Sequence, residues 1–132
     1  MSMMKRFFAL LLLPLLFVGC SSITNLTPSK YPRNTTGMYH VEAAWKTEQR
    51  SIRADSMKPI VMIGQNTYEM TKVPVVRDRW ETVIPIPADK NAAHYRFRFD
   101  YKVNAFPVGH EDSSMSPEYK LEVTEPKQKR RD

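Results

Sequence analysis

A chain of 132 residues has room for one hydrophobic core and not for two, so a single domain is expected. The formal charge of +6 sits at the ends: Lys5 and Arg6 open the chain, and Lys127, Lys129, Arg130 and Arg131 close it, so the stretch between is near neutral. A near-neutral domain with a short basic tail is not a nucleic-acid-binding pattern, and three scattered histidines beside one cysteine do not make a metal-ligand set.

The first element in chain order follows Arg6. Residues 7–18 form an unbroken apolar run, FFALLLLPLLFV. A dozen residues is the length of a secretory signal core and well short of the roughly 20 that span a bilayer. Pro14 removes a backbone donor in the middle of the run, which also argues against a long stable helix. The run ends in Gly19-Cys20-Ser21-Ser22, and small residues let an extended backbone enter a peptidase. Cys20 is the lone cysteine, so in an exported chain it has no intramolecular disulfide partner and needs another role.

Leu16-Phe17-Val18-Gly19-Cys20 resembles the lipobox of bacterial lipoproteins, with Phe17 where leucine is usual. The resemblance implies a diacylglycerol thioether on Cys20, cleavage between Gly19 and Cys20 by signal peptidase II, and acylation of the new amino terminus. Ser21-Ser22 in place of an aspartate implies the outer membrane as destination in a two-membrane bacterium. One acyl chain binds a membrane marginally and two or more bind it stably, so a multiply acylated Cys20 would hold.

Residues 21–37 are rich in Ser, Thr, Asn and Pro and poor in apolar side chains. Such a composition predicts a flexible tether. Beyond Gly37 the period becomes two. Tyr39, Val41, Ala43 and Trp45 alternate with polar or small residues, which predicts a half-buried strand. Residues 60–63 predict a central strand ended by Gly64. Residues 67–70 predict a weaker one, with residues 73–76 continuing or pairing with it. Alternation over residues 80–86 predicts another. Tyr95, Phe97, Phe99, Tyr101 and Val103 alternate strictly with Arg96, Arg98, Asp100 and Lys102 in the clearest strand of the chain. Residues 119–123 predict the last. Residues 104–118 read as a long strandless loop, of the kind that is often functional.

About seven short strands with turns between them predict an all-β sandwich over residues 38–125, with a basic disordered tail at 126–132. Between Pro59 and Tyr101 the chain also resembles the immunoglobulin-like early-set domains, such as glycogen- and starch-binding modules, which implies an immunoglobulin-like β-sandwich. The matching steps are Ile60-Val61-Met62-Ile63-Gly64, Tyr68-Glu69-Met70, Arg79-Trp80-Glu81, Ile84-Pro85-Ile86 and Tyr95-Arg96-Phe97. Where those modules carry an Asn-x-Trp sugar platform, this chain has Asn66-Thr67-Tyr68. The resemblance therefore implies Tyr68 as an aromatic that stacks on a sugar ring, and a glycan-binding reading expects Tyr68 and Phe106 exposed and coplanar beside the long loop.

Other residues point to structure. His40 and His94 sit at solvent-facing strand positions, and Trp45 and Trp80 read as core aromatics. Glu111-Asp112 is a single acidic pair, too few carboxylates for a cation site. Ser113, Ser114 and Ser116 lack a His-Asp context or nucleophile-elbow motif. Arg96 and Arg98 share a strand face with Lys102, a docking surface for an acidic partner if not a solvated face. The expectation is a non-enzymatic lipoprotein without cofactor or metal. Its partners would be the membrane, through Cys20, and an envelope protein, with glycan binding as the alternative.

Overall fold

The computed structural model describes residues 21–47, 51–104 and 107–126. The leader expected at residues 1–19, Cys20, Phe106 and the tail beyond Pro126 lie outside the described residues. No helix among the described residues is long and apolar enough to cross a membrane.

Among the described residues ten strands form two packed sheets. The four-stranded sheet has the order β1 (Ser21–Asn25), β3 (Met38–Thr47), β7 (Arg79–Pro85), β6 (Thr71–Lys72). The six-stranded sheet has the order β2 (Lys30–Pro32), β10 (Tyr119–Thr124), β8 (Ala92–Val103), β4 (Lys58–Ile63), β5 (Asn66–Glu69), and β9 (His110–Met115) also pairs with β8. All pairings are antiparallel except β2 with β10. In the lettering of immunoglobulin domains this is ABED facing GFCC′, with the first strand split between the sheets.

Alternation builds the core. Along β8 the side chains of Tyr95, Phe97, Phe99, Tyr101 and Val103 are buried, while Arg96 and Lys102 are exposed. Tyr39, Val41, Ala43 and Trp45 of β3 face them from the other sheet. Trp45 stacks on Phe99 with ring centroids 5.5 Å apart, and Trp80 is half-buried against the same core. The period-two pattern was sufficient here because each sheet has one wet face and one dry face. A tight turn joins β4 to β5 at Gly64-Gln65. Gly64 has φ of +58°, a conformation that side chains with a Cβ resist.

Three expectations are corrected. Residues 21–37 are not a tether: β1 pairs with β3, and β2 lies parallel to β10. The missing apolar bulk is replaced by backbone pairing and by polar ties that cross between the sheets. Asn25 Nδ2 donates to the Tyr95 hydroxyl at 2.9 Å, and the Tyr31 hydroxyl donates to the His40 carbonyl at 2.9 Å. Burial pushes the Tyr31 phenol above its ordinary value, with Tyr95 and Glu42 adding to the shift. Arg33 closes the segment, its Nε 2.6 Å from Glu125 Oε1 and its Nη2 donating to the Lys90 carbonyl at 2.9 Å.

Residues 104–118 are not strandless, because β9 forms a hairpin with β8. Its side chains are mostly exposed, so it gave no apolar alternation to read. Residues 73–76 belong to the turn between β6 and β7 rather than to a strand. Val75 there has φ of +69° and Asp78 has φ of +61°.

Candidate functional site

The outer face of the six-stranded sheet gathers the charged positions of β8. Register places them: Arg98 lies opposite Met115 of β9 on one side and Ile60 of β4 on the other, and Arg96 lies opposite Met62. Side chains at paired positions share a face, so Arg96, Arg98, Asp100, Ile60, Met62 and Met115 form one surface. Near its centre Arg98 is held on both flanks. Its Nε lies 3.2 Å from Asp100 Oδ1, and its Nη1 lies 3.9 Å from Met62 Sδ.

Arg96 is engaged as well, 3.6 Å from Glu118, which also meets His94 at 3.5 Å. The arginine pair predicted on one strand face is therefore assembled on that face, with its charges already matched by carboxylates. An acidic partner would have to displace Asp100 and Glu118. What stands out is an apolar contact: Met115 is half-exposed among these charges. Beside it an open groove of about 550 Å³ runs past Ser56, Lys58, Arg98, Asp100, Lys102 and Glu111. Its lining alternates in sign and offers no concentrated field for a small ion.

The hairpin carrying Met115 is shaped by a bulge. Arg98 pairs with Met115 and Tyr95 with Tyr119, so three steps on β8 match four on the partner strand. The extra residue falls at Ser116-Pro117-Glu118. Ser116 is the one buried polar residue of the described chain. Its N–H donates to the Phe97 carbonyl at 2.9 Å, and its Oγ accepts from the Phe97 N–H at 2.8 Å and donates to the Pro117 carbonyl at 2.9 Å. Ser116 thus replaces the ladder partner that an interrupted strand loses, and its hydroxyl is committed to backbone.

Tyr68 takes a different place from the one the glycan alternative needs. It lies opposite Val61, a buried residue, and packs half-buried against the core. Its ring is an edge of the hydrophobic interior, not an open platform. Phe106 lies outside the described residues, so the two aromatics are not brought together by anything described. His40 and His94 are exposed on strands as expected, His40 Nε2 lying 2.8 Å from Glu81. Among the described residues no group of three or more His, Cys, Asp or Glu is placed to hold a metal ion. Sequence reasoning missed Met115, because β9 was invisible to periodicity. A lone Met in the polar run of residues 110–115 was the available signal.

No family model matches the sequence, and no curated protein does. Among solved structures the chain is similar to murine CRIg, at 13% sequence identity and a TM-score of 0.46, with 83% of this chain and 100% of that chain covered. Strand order and register, rather than this likeness, make the domain an immunoglobulin-like β-sandwich.

Proposed function

We propose that the protein is a non-catalytic, lipid-anchored module of a bacterial cell envelope, carried to the outer membrane and held there by acyl chains on Cys20. Its partner is a protein, met through the outer face of the six-stranded sheet around Arg98 and Met115. The observation that carries the anchor is in the sequence: the apolar run of residues 7–18 leads into Leu16-Phe17-Val18-Gly19-Cys20, and Cys20 is the lone cysteine. Met115 supports the partner face: an exposed thioether beside an arginine is a small apolar anchor with an adaptable side chain. Arg98 is already ordered by Asp100 and Met62, so binding would cost it little further side-chain entropy.

Mass spectrometry of the amino-terminal peptide from the membrane-derived protein tests the anchor. A peptide starting at Cys20 with added diacylglycerol mass is the expected result, and an unmodified terminus near Ser21 refutes it. A photo-crosslinking residue at position 115 tests the face, with position 83 on the outer face of the other sheet as control. One protein adduct at 115 and none at 83 is expected; equal labelling, or none at 115, removes the partner surface.

A further inference from the structure

The end of the sandwich where Ser21 lies is shared by three connections. Ser21 lies opposite Thr47 at the end of β3. Ala44 lies opposite Arg79, and the Trp45 N–H donates to the Asp78 carbonyl at 3.0 Å, which sets the β6–β7 turn at the same end. The chain leaving β3 returns at Ser51 and Ile52, where Ile52 bridges Val103 and the Asn104 N–H donates to the Ser51 carbonyl at 2.7 Å. The β8–β9 turn therefore belongs to that end too.

This end has an unusual surface. Six large hydrophobic residues are exposed among the described residues, and three of them, Val75, Val76 and Val108, stand on these two turns. Val75 is fully exposed, and a β-branched residue in the left-handed region is strained. Neither feature helps a free monomer. Lys72, Arg77 and Arg79 flank the valines, with Asp78 among them and Glu42 4.0 Å from Arg79, so the turn is apolar at its tip and on balance basic at its base. The interface of an anionic bilayer has the complementary order, with phosphates outside and acyl chains within.

We infer that this end of the sandwich is seated on the lipid headgroups of an anionic membrane, with Val75, Val76 and Val108 in the interfacial layer. The inference rests on the acylation of Cys20 proposed above. Consecutive Cα atoms are about 3.8 Å apart, so an acylated Cys20 leaves Ser21, already paired in β1, no slack from the bilayer. The domain can only pivot about that point, and the valine turns are what it pivots onto. The turn following Pro87 then points away from the membrane, and the Arg98 face stands upright beside it.

The test uses the acylated full-length product, purified from membranes and reconstituted in vesicles of phosphatidylglycerol and phosphatidylethanolamine. Val75→Cys, Val108→Cys and, as the far-end control, Ala88→Cys each carry one environment-sensitive fluorophore, since an acylated Cys20 has no free thiol. Quenching by a lipid-attached nitroxide should be about threefold or more greater at 75 and 108 than at 88. Equal quenching at the three positions, or stronger quenching at 88, overturns the seating. Blue-shifted tips in native membranes without lipid quenching would mean that a protein covers them, which also overturns it. Mass spectrometry of the same preparation separates the two claims. An acylated terminus with unquenched tips removes the seating alone, and an unacylated terminus with unquenched tips removes both.

Discussion

Ser116 carries a conflict between packing and hydrogen bonding. Pro117 has no N–H, and the bulge shifts the strand by one residue, so the buried Phe97 amide depends on the Ser116 hydroxyl as acceptor. Leaving a buried donor unpaired costs about 1–3 kcal/mol. Ser116→Ala should therefore lower the melting temperature by on the order of 10 °C, given about 4–8 °C per kcal/mol for a domain of this size. Ser113→Ala is the control, exposed on the same hairpin, and should change stability by less than about 0.5 kcal/mol. Thermal denaturation of the two variants checks this, and equal melting points would remove the structural role of the bulge serine. In the sequence Ser116 was one serine among three, because nothing local marks which hydroxyl will be buried.

At the scale of the element, the segment before Gly37 behaves contrary to its composition. Few apolar side chains suffice because β1 and β2 are edge strands, each needing only one neighbour and one covered face. Ile23 and Tyr31 supply the covered face, and the Leu26 and Arg33 amides donate to Glu42 and Thr124 carbonyls, each at 2.9 Å. Hydrogen exchange distinguishes this from a tether. The Leu26 and Arg33 amides should exchange on the order of a hundredfold or more slower than an unstructured chain. Exchange at random-coil rates would return the segment to a linker. The β9 strand was missed for a related reason, since an edge strand with both faces wet shows no alternation.

For the whole molecule, the proposed anchor and the fold are separable. Among the described residues the buried hydrophobic core runs from Tyr39 to Val123, so Cys20→Ser should leave the domain folded with an unchanged near-ultraviolet circular dichroism spectrum. By its resemblance to lipoproteins the variant should accumulate as precursor, because oxygen does not replace sulfur in the thioether transfer. Immunoblotting for a product longer by the leader checks it; normal processing would argue for an ordinary secretory signal. The sequence alone determined the all-β class, the sandwich core and the positions of His40, His94, Trp45 and Arg96. A strand with one dry face writes its burial into every second residue. Only the tertiary structure decided the rest: that residues 21–37 belong to the fold, that Tyr68 faces the core, and that Val75 and Val108 stand at the same end as Ser21. Edge pairing and the sharing of an end depend on register between strands far apart in the chain, and register is not a local property of any of them.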